Sequence, residues 1–213
     1  MYTCPYSGYF RVLPKSYIRI LHASPNAPAV DIYANGRIIA RNVHYKEFTN
    51  YLALIPGNYR ITVYVSGTST NPVINTNVTI PEKMIFTVAA IGTSPNLSLL
   101  PIAEPVLPIR PGKAYVRFAH LSPNTPAVDI TLPNGDKIFK NVSYKEVTDY
   151  LPVNGGSYIL QARIANTDNI VLHAGRINLR PGRFYTVYAV GLNNDTPPLQ
   201  VLVPLDGNSY IRV

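Results

Sequence analysis

The sequence has no tryptophan and only one cysteine, Cys4, among its 213 residues. A single thiol excludes an intrachain disulfide and leaves open an intermolecular bridge through Cys4. Charge is sparse as well. Asp, Glu, Lys and Arg make up 14% of the chain, against roughly 25% in an average soluble protein. Long apolar runs are missing, and no stretch reaches the roughly 18 residues that a membrane-spanning helix needs. The first ten residues, Met1 to Phe10, lack the basic start and apolar run of a secretory signal. The expectations are no membrane span, and a chain that stays in its cell, leaves by lysis, or follows a signal outside these residues.

What is present is β-forming. Hydrophobic residues make up 46%, with 16 Tyr, 20 Pro and 13 Gly, a composition suited to short strands joined by turns. The net charge is +8. Nucleic-acid binding needs basic residues clustered on one face, whereas Arg19, Arg37, Arg41, Arg60, Arg110, Arg117, Arg176, Arg180 and Arg183 scatter through both halves. No nucleic-acid partner is expected.

An internal repeat decides the organisation. The run Tyr17-Ile18-Arg19-Ile20-Leu21-His22-Ala23-Ser24-Pro25-Asn26, continuing to Asp31-Ile32, returns as Tyr115-Val116-Arg117-Phe118-Ala119-His120-Leu121-Ser122-Pro123-Asn124, continuing to Asp129-Ile130. The register then carries Asn35-Gly36 onto Asn134-Gly135, Tyr45-Lys46-Glu47 onto Tyr144-Lys145-Glu146, and Tyr51-Leu52 onto Tyr150-Leu151. This divides the chain into an N-terminal arm (1–15), a first domain (16–104), a Pro-rich linker (105–113), a second domain (114–206) and a C-terminal segment (207–213).

Each copy is patterned as strands. Ile18, Ile20 and His22 alternate with Arg19, the period of a half-buried strand. Asn-Gly between apolar segments is a hairpin signal, because both residues tolerate positive φ. Six or seven strands per copy predict an all-β fold of two tandem immunoglobulin-like β-sandwiches. A small closed barrel is the competing arrangement.

His22, Ser24, Pro25, Asn26 and Asp31, with their twins His120, Ser122, Pro123, Asn124 and Asp129, invite a hydrolase reading. Three features oppose it. No serine sits in a glycine-flanked strand-to-helix turn. His22 shares a strand face with apolar residues. The whole set is duplicated, as expected of groups that each domain needs for folding. Ser-Pro-Asn is also good turn chemistry. The sets are therefore expected to form structural corners, with no catalytic residue and no cofactor. Metal ligation is not expected either. His22, His44, His120 and His173 have no short spacing, and Asp31 and Asp129 lack the acidic neighbours that calcium requires. Tyr45-Lys46-Glu47 and its twin raise a Lys–Asn isopeptide crosslink, for which an exposed turn is the expected alternative.

The run H-A-S-P-x-x-P-A-V-D-I-Y, followed by N-G, N-V and Tyr-Leu, resembles a bacterial family catalogued only as a domain of unknown function (number 4397). The resemblance covers both copies. It implies a β-sandwich in an extracytoplasmic setting and supplies no catalytic residues.

The ends carry the remaining expectation. Ser209-Tyr210-Ile211-Arg212-Val213 nearly repeats Ser16-Tyr17-Ile18-Arg19-Ile20 and is predicted to be a strand. It would either fold back or add to a neighbouring sheet. The arm offers Cys4, Tyr6, Tyr9 and Phe10 as a second connector. Head-to-tail addition gives open filaments. The expected protein is thus a non-enzymatic, self-assembling component of a cell or spore surface, such as a fibre or coat. The alternative is an adhesin-like module that binds an envelope glycan or protein.

Overall fold

A computed structural model describes residues 14–213. Cys4, Tyr6, Tyr9 and Phe10 lie outside the described residues. The first copy contains β1 (Ser16–His22), β2 (Val30–Ala34), β3 (Arg37–Val43), β4 (Leu52–Leu54), β5 (Gly57–Val65), β6 (Ile74–Ile80), β7 (Ile85–Thr93) and β8 (Asn96–Ala103). The second contains β9 (Lys113–His120), β10 (Val128–Thr131), β11 (Lys137–Val142), β12 (Leu151–Asn154), β13 (Gly156–Ile164), β14 (Ile170–Leu179), β15 (Phe184–Val190) and β16 (Gln200–Leu202).

Each copy is a two-sheet sandwich, with strand orders β4-β1-β7-β8 and β3-β2-β5-β6 in the first, and β12-β9-β15-β16 and β11-β10-β13-β14 in the second. The two copies therefore fold alike, as open sheets rather than a closed barrel. Within the sandwich class the strand order is its own. It gives four strands per sheet, whereas constant-type immunoglobulin domains divide as ABED and CFG. β1 runs parallel to β7 from Tyr17↔Ile85 to His22↔Ala90. β9 runs parallel to β15 from Tyr115↔Phe184 to His120↔Ala189. The remaining strand pairs are antiparallel.

The expected half-buried strand is buried on both faces from Arg19 to His22. In β1, Ile20 and His22 are buried towards their own sandwich, while Arg19 and Leu21 are buried on the opposite face. β15 is buried at every position. The cause is a cluster formed across the two copies, which includes Leu21, Ala23, Ala89 and Ile91 of the first and Ala119, Leu121, Tyr188 and Val190 of the second. Sheet β4-β1-β7-β8 thus meets sheet β12-β9-β15-β16 face to face. Apolar surface that this contact removes from water contributes on the order of 25 cal/mol per Å².

Two segments depart from their expected form. The hairpin Asn35-Gly36 places both residues at positive φ (49° and 76°), but in the second copy only Gly135 is positive (92°), because the inserted residue lengthens that turn. The C-terminal segment, expected as a strand, instead forms a 3-10 turn at Gly207–Ser209, and Tyr210 to Val213 add no strand. A strand would need a free sheet edge. Here the backbone is held by other partners: the amide of Gly207 bonds Glu104 Oε2 at 2.6 Å and Tyr51 Oη at 2.9 Å, and the Phe184 amide bonds Ser209 Oγ at 2.8 Å.

Candidate functional site

The duplicated His–Ser–Asp sets sit at the ends of β1 and β9 and the starts of β2 and β10, and their members do not form a relay. His22 Nε2 donates to the Pro28 carbonyl at 3.0 Å, and Ser24 Oγ donates to the Ala90 carbonyl at 3.1 Å. Asp31 accepts from the Asn42 amide at 2.7 Å, Ser66 Oγ at 3.1 Å and the Gly67 amide at 3.2 Å. In the second copy His120 Nε2 bonds the Pro126 carbonyl at 3.2 Å, and Ser122 Oγ donates to the Gly191 carbonyl at 2.6 Å. Asp129 accepts from the Asn141 amide at 2.8 Å. Ala165 stands where the first copy has Ser66, and Lys137 fills the gap with an ammonium 2.6 Å from Asp129. Pro25 and Pro123 are part of the Ser-Pro-Asn turns that follow β1 and β9. Asn26 reaches across to the Thr196 carbonyl at 2.7 Å, whereas Asn124 bonds Asn193 within its own copy.

The electrostatics follow from these partners. Burial pushes both imidazoles below their ordinary value, so His22 and His120 are held neutral. The Asn42 amide, with Gly67 and Ser66, holds Asp31 below the usual carboxylate range against burial. At Asp129 burial pushes up, but Lys137 and the Asn141 amide outweigh it.

Tyr45-Lys46-Glu47 and its twin form tight turns. Lys46 and Lys145 take φ of 72° and 73°, and Glu47 and Glu146 accept from the amides of His44 and Ser143 at 2.7 and 2.9 Å. Lys46 Nζ bonds Gln200 of the other copy at 3.1 Å, so it is an exposed contact between domains rather than a buried crosslinking lysine. Among the described residues, no three His, Cys, Asp or Glu gather as a metal site.

The most unusual chemistry lies between the two copies, where sequence reasoning saw only scattered arginines. Arg19, Glu104, Arg117 and Asp206 are all buried there. Arg19 bonds Thr87 Oγ1 at 2.7 Å, the Leu205 carbonyl at 2.9 Å and Asp206 Oδ1 at 2.8 Å, and lies 3.6 Å from Glu104. Arg117 mirrors it, bonding Thr186 Oγ1 at 2.8 Å and the Ala103 carbonyl at 2.6 Å. Each arginine therefore donates to the main chain of the other copy, immediately before that copy's carboxylate. Tyr51 Oη donates to Glu104 at 2.8 Å, and Tyr150 Oη donates to Asp206 at 2.7 Å. Thr87 and Thr186 complete the carboxylate shells at 2.5 and 2.6 Å. The guanidinium of Arg19 lies over Phe48 (4.8 Å) and Tyr51 (4.9 Å), and that of Arg117 over Tyr150 (4.3 Å). The mirror is imperfect. Arg117 has one terminal nitrogen without a partner among the described residues.

Burial disfavours the Arg19 charge, but the phenols of Tyr188 and Tyr51 and both carboxylates outweigh it and its pKa moves up. Asp206 is pushed up to about 6 by burial and by the nearby Glu104, against the pull of Arg19 and Arg117. Two arginines and two acids thus neutralise one another inside the molecule. The arrangement holds two sheets together.

A cavity lies elsewhere, between the sheets of the first copy. It measures about 780 Å³ and is lined by Ile18, Ile20, Ile32, Val63, Val88 and Leu99, with β6 and β8 at its rim. In the second copy a smaller cavity of about 510 Å³ lies between β14 and β16, lined by Leu172, Ala174, Ile177, Leu199 and Val201.

Fold and site together define a class: tandem all-β domains joined face to face through a buried charge cluster. The chain belongs to the family described as Domain of unknown function (DUF4397), which matches residues 16–131 and 132–213. The matched segments meet inside the turn between β10 and β11, whereas the hydrogen-bonded sheets divide between β8 and β9. No curated protein matches the chain. Among solved structures, it is similar to the Bacillus anthracis TIE protein at 13% identity and a TM-score of 0.26, over 84% of this chain and 34% of that one. It is also similar to a leucine-rich repeat protein from Bacteroides thetaiotaomicron at 12% identity and a TM-score of 0.22, over 88% and 26%. A third likeness is to the family CBM26 module of Eubacterium rectale Amy13K, solved with maltoheptaose, at 11% identity and a TM-score of 0.24, over 90% and 95%. The chain spans about a third and a quarter of the length of the first two. Among the described residues no helix is long and apolar enough to cross a membrane.

Proposed function

We propose that this protein is a non-enzymatic structural component of a bacterial cell or spore surface, and that copies assemble head to tail into fibres or a coat through segments outside the sandwiches. One observation carries the reading: the polar side chains that could do chemistry are spent on holding the fold. His22, Ser24 and Asp31, and their twins, bond main-chain groups of their own domain. The four buried charges tie one domain to the other. A rigid two-domain unit suits a building block, since a fibre keeps its pitch only if its units do not bend. The surface setting is supported by the resemblance carried by the H-A-S-P-x-x-P-A-V-D motif.

The test is the state of the full chain in solution. Light scattering and negative-stain imaging over rising concentration are expected to show linear multimers. A chain that stays monomeric throughout, or that binds an envelope glycan on an array without assembling, would overturn the proposal, the second outcome in favour of an adhesin.

A further inference from the structure

The first sandwich is less buried on its inside than on the face it turns to its neighbour. On the central strand β7, Thr87 and Ala89 face the second copy and are 0% exposed. Phe86 and Val88, which face their own sandwich, are only half-buried, as is Ile18 beside them on β1. The cause is the cavity between the two sheets, about 780 Å³ in volume, within the roughly 300–1,000 Å³ of binding clefts. It reaches the edge strands β6 and β8. The second copy has its smaller cavity, about 510 Å³, at the corresponding strands β14 and β16, but His173, Arg176 and Gln200 stand in that lining.

The lining of the first cleft sets what can enter it. Its walls are aliphatic, and among the described residues that line it none is Asp, Glu, Lys or Arg. Most of its polar groups are already engaged. His22 bonds the Pro28 carbonyl through Nε2, and its Nδ1 faces the Ser24 amide at 3.4 Å. Asn75 accepts from Arg60 at 3.0 Å, and Thr79 donates to Asn58 at 2.7 Å. That leaves Thr76 and Ser98, one hydroxyl on each edge strand. We infer that this cleft binds the hydrocarbon chain of a single-tailed lipid with an uncharged head, the chain lying along β6 between the sheets and the head at Thr76 and Ser98.

Three properties favour this occupant. A chain of methylenes asks for no hydrogen bond, whereas a polar group taken into an aliphatic cleft without a partner is penalised. Apolar cavities stay dry and take up apolar molecules in place of water. A peptide strand fits worse, because every residue but proline brings an amide and a carbonyl, and the backbone of the inner strands is spent within its own sheets. A peptide could pair along an edge but could not fill the interior. The shape points the same way. The lining follows β6 from Ile74 to Ile80, about 20 Å at roughly 3.3 Å per residue, between sheets that stack about 10 Å apart. A long, narrow slot suits an unbranched chain. The site lies inside the first sandwich, so it stands apart from the terminal segments invoked for assembly.

The experiment titrates the full chain with the straight-chain alcohols from 1-hexanol to 1-dodecanol by calorimetry. Affinity is expected to rise about fourfold for each added methylene, and decanoate should bind no more tightly than 1-decanol. No binding, an affinity independent of chain length, or tighter binding of decanoate would each overturn the inference. Val88→Phe places a ring in the slot and is expected to weaken 1-dodecanol about tenfold or more without lowering the Tm. A variant that melts like the wild type and binds like it would refute the assignment. If Val88→Phe does not fold, the wild-type chain still decides the matter through 1-dodecanol carrying a diazirine at its methyl end. Adducts are expected on residues 18–22, 61–63 or 86–90. Adducts confined to residues 172–178 or 199–203, or spread over the surface, would overturn the inference, as would a hydrophobic heptapeptide that binds the cleft where 1-dodecanol does not.

Discussion

Replacing Arg19 by Met tests whether the two sandwiches are one cooperative unit. The substitution keeps an unbranched side chain among Phe48 and Tyr51 but removes hydrogen bonds to Thr87, to the Leu205 carbonyl and to Asp206. It also leaves two buried acids facing the single remaining guanidinium of Arg117. Breaking a buried ion pair by deleting one partner costs about 3–5 kcal/mol, because the other charge stays desolvated. That exceeds what surface pairs contribute, about 0–1 kcal/mol, so the two cases are easy to separate. The pH dependence sharpens the test. Folding raises Asp206 to about 6, from about 3.9 in an unfolded chain. The folded state therefore binds that proton first, and this term of stability is fully present below about pH 4 and is lost as pH rises through 6. Without Arg19 the folded-state pKa climbs further. Variant and wild type should then diverge above pH 6, by at most about 1.4 kcal/mol per pH unit. Scanning calorimetry and urea titration at pH 5.5 and pH 8 would measure this. One transition is expected for the wild type, and a lower, split transition for the variant at pH 8. A loss under about 1 kcal/mol, or the same loss at both pH values, would refute the reasoning.

Three further outcomes follow from the same contacts. Arg117→Met should cost less than Arg19→Met, since Arg117 leaves one nitrogen unpaired and makes no bond to a carboxylate, and a double-mutant cycle in urea should show coupling of about 0.5–3 kcal/mol. Gly207→Ala would bring a Cβ within 2.8 Å of the Tyr51 ring and 2.9 Å of Ile85; a loss of about 1–3 kcal/mol is expected, read by thermal melting. Because burial depresses His22 and His120, their contribution to stability is present above about pH 6.5 and falls as the pH drops through their folded values; the double variant His22→Gln, His120→Gln should flatten the melting-temperature profile between pH 6.5 and 5, opposite in sign to the Asp206 effect.

The duplicated fold was legible because strands write themselves with period 2 and the repeat confirmed each assignment against its twin. The Ser-Pro-Asn segments were read as turns from their residue types, and Pro25-Asn26 and Pro123-Asn124 lie in turns. The charge cluster was harder to see. Glu104 and Asp206 lie beyond the stretch where the two copies align, and Arg19 and Arg117 look like ordinary outward residues of a half-buried strand. A signal was present even so. The positions beside them on that outward face are Leu21, Ala119 and Leu121, too apolar for solvent, and an arginine on an apolar outward face points to a covered surface with a buried acid. The C-terminal likeness to Ser16–Ile20 misled for a physical reason. β1 is a strand because β4 and β7 flank it, and residues 209–213 have no such neighbours.

Buried charge is a costly way to join two sheets. An apolar contact of the same size would hold at least as well, since well-packed hydrophobic replacements of buried ion pairs are often neutral or stabilising. What charge adds is discrimination between orientations. The face of β4-β1-β7-β8 would pack against an apolar face in several rotations, but only one places Arg19 on the Leu205 carbonyl while Arg117 reaches the Ala103 carbonyl. Any other rotation strands two acids and two arginines without partners. The cluster therefore fixes the angle between the sandwiches.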